Sequence, residues 1–127
     1  MSRKDPSQLT FVDAAALTAV LDRSSPDHLF LGELWRFELD CGTTLVTTDA
    51  SALKVSLDLQ ARHGLGGVEK LFHLVVPALR VQPSTRADVE VAVASLHSAR
   101  DAQRDLVQQL EDVVRSRLRV TQTLAAR

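Results

Sequence analysis

The residues best suited to chemistry in this chain are acids that follow apolar, β-branched runs. Asp13 closes "LTFVD" and Asp49 closes "LVTTD". Runs of this kind read as buried strands, and open α/β sheets bind their ligands just past the carboxyl ends of such strands. Carboxylates placed there suit a hard divalent cation, which takes oxygen ligands, activates water and neutralises phosphate charge. Downstream lie Asp58, one helical turn after Lys54, and then Asp101 and Asp105 before the last long amphipathic stretch. Lys54 itself is out of place in such company. A protonated lysine has no lone pair to offer a metal ion, and its charge opposes one.

Regular elements must hold these residues. "LTFVD" predicts a strand over 9–13, and "AAALTAVLD" then turns to helix formers. "SSPDHLFLGELWRFELDCG" carries a serine cap, Pro26 in the first turn, apolar positions at Phe30, Leu34 and Phe37, and Gly42 as a stop. "TTLVTT" is β-branched on both faces, as a strand buried between layers is. "ASALKVSLDLQARHG" predicts a helix with Leu53, Leu57 and Ala61 as its core stripe and Gly64 as its C-cap. "VEKLFHLVV" is a short helix closed by Pro77, and "ALRVQP" a third strand. "STRADVEVAVASLHSA" opens with an S/T-x-x-D cap and sets Val89, Val93 and Leu96 on one face. "RDLVQQLEDVVRSRL" does the same with Leu106, Leu110, Val113, Val114 and Leu118, and "RVTQTL" makes a final strand. Strands alternating with helices imply an α/β fold, a central, mostly parallel sheet flanked by helices in three layers. The expected organisation is a flexible N-terminus over 1–8 and a single domain over 9–127.

Composition narrows the function. The chain has 127 residues, 45% hydrophobic and 24% charged, enough for one self-sufficient core. Its formal charge of −1 supplies no global field for nonspecific phosphate binding, so any contact with nucleic acid is local. Arg115, Arg117 and Arg119, with Arg100 and Arg104, are the candidate patch, although such clusters also serve as solvated helix faces. The one cysteine, Cys41, excludes an internal disulfide and reads as a small apolar group in a reducing compartment. His28, His63, His73 and His97 lack metal-ligand spacing, and Ser51 and Ser56 lack a nucleophile elbow. A polar start, "MSRKDPSQ", and the want of a long apolar run predict a cytoplasmic protein with no membrane association. Trp35 and Phe37 fit a core helix or an exposed partner ridge.

"FVDAAALTAVLDRSSPDH" followed by "LVTTDASALKVSLDLQARHGL" resembles the PIN-domain fold, in particular the VapC-like toxins of toxin–antitoxin pairs. The resemblance spans roughly residues 9–96 in order and spacing. It implies an endoribonuclease using Mg2+ or Mn2+ held by acids at the carboxyl edge of the sheet. Asp13 matches the first acid of that pattern. The second, a glutamate in the helix after "LVTT", falls on Lys54. Asp101 and Asp105 both match the third, and the fourth falls among Gln122, Thr123 and Ala125, none of them acidic.

The resemblance therefore implies a degenerate member, with lost or impaired metal-dependent ribonuclease activity and no cofactor, serving as a binding module. Lys54 would then be a cation replacing the metal, pointing at Asp13 and steadied by Asp58. Deleting it from a buried site would cost on the order of a few kcal/mol. The plainer reading is a solvated ladder of Lys54, Asp58 and Arg62. The alternative function is an active VapC-like toxin with Mg2+ or Mn2+ among Asp13, Asp49, Asp58 and Asp101 or Asp105. A third is a protein- or ligand-binding domain of unrelated function. Expected partners are RNA, an antitoxin-like protein, and a second copy of the chain in a homodimer.

Overall fold

The computed structural model describes residues 8–98 and 104–125. The expected N-terminal tail lies outside them except for Gln8, and so do Arg100 and Asp101. Four strands form one parallel sheet in the order β3-β2-β1-β4, where β1 is Leu9–Val12, β2 Thr44–Thr48, β3 Leu79–Gln82 and β4 Gln122–Leu124. The helices between them are α1 (Ala14–Leu21), α2 (His28–Asp40), α3 (Asp49–His63), α4 (Leu65–Lys70), α5 (Arg86–Ser98) and α6 (Leu106–Arg117). The short helix expected over "VEKLFHLVV" passes at its end into a π-helical turn, Leu71–Val75, and a 3-10 turn, Val76–Ala78, that deliver the chain to β3.

The sheet is covered on both sides, which explains why β1 and β2 are continuously apolar or β-branched rather than alternating. Neighbouring residues of a strand face opposite ways. Thr10 directs its hydroxyl toward Glu38 of α2, at 3.4 Å, while the Arg115 guanidinium of α6 lies 5.6 Å from the centroid of the Phe11 ring. Helices α2 and α6 therefore occupy opposite faces, and the fold has three layers. The core gathers Phe11, Val12, Leu17, Leu31, Trp35, Leu45, Val55 and Leu59, so Trp35 is a core residue.

Several terminators act as their types require. Gly42 (φ 76°) and Gly64 (φ 69°) take the left-handed conformation that lets the chain turn off α2 and α3. Thr85 and Asp88 make a reciprocal cap before α5: the Thr85 amide donates to Asp88 at 2.9 Å, and the Asp88 amide to the Thr85 hydroxyl at 3.1 Å. Helix α2 starts later than the serine cap implied, at His28 after Asp27.

The rotation of the helices differs from the apolar stripes. On α3, Leu53 and Leu57 are 61% and 56% exposed, and the buried residues are Ser51, Val55 and Leu59. On α2, Phe37 is exposed and the buried set is Leu31, Trp35 and Glu38. On α5, Val93 is exposed and Asp88 and Ala92 are buried. On α6, Leu110 and Val114 are buried as expected, but Gln109 and Glu111 join them and Leu106 turns outward. One cause runs through all four: a hydrogen-bonded polar side chain holds a core-facing position, and the apolar stripe is displaced around it.

Truncating Leu59 to alanine should cost about 2–5 kcal/mol in denaturant unfolding, whereas Leu57→Ala should cost less than about 1 kcal/mol. Equal costs would contradict the observed rotation of α3.

Candidate strand-end site

The site is built where β1 and β2 end. Asp13 leaves β1 in an extended conformation (φ −76°, ψ 167°) and becomes the N-cap of α1, its carboxylate accepting the Ala16 amide at 2.7 Å. The next amide, Ala14, has no partner within its helix and donates to Glu111 of α6 at 2.7 Å. Thr48 ends β2 and caps α3, its hydroxyl accepting the Ser51 amide at 2.9 Å. Ser51 then donates its hydroxyl to the same Glu111 oxygen at 2.8 Å. Glu111 is buried, and its carboxylate joins the starts of α1 and α3 to α6.

Around this joint lies a cavity of about 190 Å3, lined by Asp13, Lys54, Arg104, Glu111, Asp112 and Arg115 among others. Burial raises the Asp13 carboxyl above its ordinary 3.8, against the Ala16 amide and the Arg115 charge, which lower it. Burial likewise raises Glu111 above 4.5, outweighing the Ser51 and Ala14 hydrogen bonds, with the neighbouring Asp13 charge adding to the rise. Two carboxyls in one small cavity thus resist ionisation.

Three cations answer them. Lys54 donates to Asp105 at 2.7 Å, and that hydrogen bond raises the lysine above its ordinary value. Asp105 is the N-cap of α6, in a reciprocal capping box with Gln108, and its carboxyl is lowered because the Lys54 and Gln108 bonds outweigh its burial. Arg104 and Arg115 both bind Asp112, and Arg104 also donates to Gln109 at 2.8 Å. Arg115 reaches Thr123 of β4 at 3.0 Å.

Of the residues singled out from sequence, the structure brings Asp13 and Lys54 to one cavity and joins Asp105 to Lys54. Lys54 does not pair with Asp13 as expected; the capping carboxylate of α6 takes it instead. Asp58 lines a shallow neighbouring hollow with Lys54 and makes no ion pair among the described residues, while Arg62 turns to Asp22, so the expected ladder along α3 does not form. Asp49 faces away toward β3, accepting Ser84 at 2.7 Å and the Ala50 amide at 2.8 Å; these bonds overcome its burial and hold its carboxyl low. Asp101 lies outside the described residues. Glu111 and Asp112 were not read from sequence as site residues, and Arg104 and Arg115 were read only as members of an arginine patch for nucleic acid. Glu111 did leave a signal, since an acid on the stripe formed by Leu110, Val114 and Leu118 needs a partner in the interior.

Several acids around the cavity are engaged by the chain's own groups. Asp105 is committed to Lys54, Asp112 to two arginines, and both Glu111 bonds converge on one oxygen. Among the described residues, no three of His, Cys, Asp and Glu gather to hold a metal.

A parallel four-stranded sheet with helices on both faces and acids at its carboxyl edge is a three-layer α/β architecture. No protein-family model matches the sequence, and no curated protein matches it by sequence. Among solved structures the chain is similar to Mycobacterium tuberculosis VapC20, a toxin that cleaves the sarcin-ricin loop. The TM-score is 0.83 at 16% identity, over 94% of this chain and 90% of that one. The domain has a VapC-like PIN fold.

The raised carboxyls fix the sign of a pH effect. An acid whose folded value lies above its unfolded value favours folding at low pH, and that contribution is lost as pH rises through the folded value. Replacing Glu111 by glutamine mimics its protonated form, so Glu111→Gln should gain stability relative to wild type as pH climbs above about 4.5. Urea unfolding between pH 4 and pH 7 checks this; a difference constant with pH would contradict it. The Lys54 and Asp105 side chains are 38% and 46% exposed, so Lys54→Met should cost no more than about 1 kcal/mol in the same assay, against the few expected of a buried site.

Proposed function

We propose that this is a degenerate PIN-like domain in which metal-dependent ribonuclease activity is lost or impaired, and that it acts in the cytoplasm as a binding module. The observation that supports this most is the 2.7 Å ion pair between Lys54 and Asp105. By the resemblance, Lys54 stands where the second acid belongs, and Asp105 is one of the two residues, with Asp101, that match the third. A tethered ammonium there replaces a soluble cation, and Arg104 and Arg115 add two more fixed charges beside Asp13. Partners in keeping with this reading are RNA, an antitoxin-like protein, and a second copy of the chain.

The alternative is an active Mg2+- or Mn2+-dependent toxin endoribonuclease with rearranged acids. One observation favours it: Asp13 and Glu111 line one cavity. Its ion would have to enter beside three cations, which weighs against it.

Purified protein incubated with structured RNA in Mn2+ should cleave no faster than its Asp13→Asn variant. Cleavage that requires Mn2+ and vanishes in Asp13→Asn would overturn the degenerate reading.

A further inference from the structure

A second cavity, of about 450 Å3, opens at the other end of α1 and α3, between Leu21, Leu59 and the start of α4. Helix α1 runs back from Asp13 for eight residues, which sets this opening roughly 12 Å from the strand-end site. Its floor is apolar, formed by the buried Leu21 and Leu59. At Gly67 an added Cβ would stand 3.0 Å from the Leu59 carbonyl oxygen, so α4 packs closely on α3 there, whereas Gly66 faces open space.

One acid lies at this cavity, and it is already neutralised. Asp22 is 97% buried, being 3% exposed, and accepts the Ser24 hydroxyl at 2.7 Å, the Ser24 amide at 3.0 Å and Arg62 at 2.5 Å, with His63 at 3.7 Å. The Ser24 hydroxyl bond leads the contributions that hold its carboxyl below the ordinary value, so it stays ionised and its charge is balanced by Arg62. The cations Arg23 and Lys70 remain on the lining. Both are exposed, and neither has an ion-pair partner among the described residues. An apolar hollow with two unpaired cations at its mouth matches a ligand with an apolar body and one anionic group. The volume lies within the roughly 300–1,000 Å3 of small-molecule sites.

We propose that this cavity binds a small amphipathic organic anion, with its apolar body against Leu21 and Leu59 and its carboxylate, sulfonate or phosphate group between Arg23 and Lys70. This site is separate from the strand-end acids and does not depend on how they are read.

The test is a fluorescence titration of the full chain with 1-anilinonaphthalene-8-sulfonate and with N-phenyl-1-naphthylamine, which has the same apolar body without the sulfonate. The anionic probe should bind saturably at one site and about tenfold tighter than the neutral one. The double variant Arg23→Glu, Lys70→Glu should lose about tenfold in affinity for the sulfonate and leave the neutral probe unchanged. Gly66→Phe, which fills the open space, should abolish both. Equal affinity for the two probes, or sulfonate binding unchanged in the double variant, would overturn the proposal. So would undiminished binding to Gly66→Phe with wild-type melting; if that variant does not fold, the charge variant decides.

Discussion

The buried carboxylate of Glu111 is the constraint on which the strand-end region depends. Helix starts expose amides without intrahelical partners, and two helices start side by side here because β1 and β2 are adjacent and parallel. Asp13 caps the first and Thr48 the second, and Glu111 takes the Ala14 amide and the Ser51 hydroxyl. Its two bonds fix the approach of α6 to α1 and α3, and so fix which α6 side chains face the cavity. Asp112 and Arg115, on the turn around Glu111, follow from that placement. Removing the carboxylate would strip the Ala14 amide of its acceptor and leave the Ser51 hydroxyl only Thr48.

With those positions set, the electrostatics of the cavity are a matter of charges supplied by the chain itself. Asp13 and Glu111 are desolvated and close, an arrangement that a metalloenzyme stabilises with an ion. Here Lys54, Arg104 and Arg115 surround them, each also anchored elsewhere, on Asp105 or Asp112. The Lys54 pair is half-exposed, so its effect is on the local field more than on stability. The better buried pairs, Asp22 with Arg62 and Asp88 with Arg117, stand apart from the site and brace helix ends.

Much of the architecture was legible in sequence because it rests on local signals. β-branched runs located the strands, glycines at positive φ marked the ends of α2 and α3, and Thr85 with Asp88 announced α5. Asp13 was legible as a strand-end acid, and Lys54 as an oddity. Helix rotation was not legible. Glu38, Ser51, Asp88 and Glu111 face inward because partners distant in sequence satisfy them, 28 residues away for Glu38 and 60 for Ser51. A stripe of leucines carries no information about such partners. The same limit hid the role of Glu111 and led Lys54 to be aimed at Asp13 rather than at the cap of α6.

On the proposed reading, a tethered cation stands where a divalent ion would bind, and calorimetric titration of Mn2+ measures whether that place is open. Wild type should give no heat of binding, Lys54→Glu should acquire a single site, and adding Asp13→Asn to that variant should remove it. Mn2+ binding by wild type that disappears in Asp13→Asn alone would contradict the account, since the acids would then hold an ion despite Lys54.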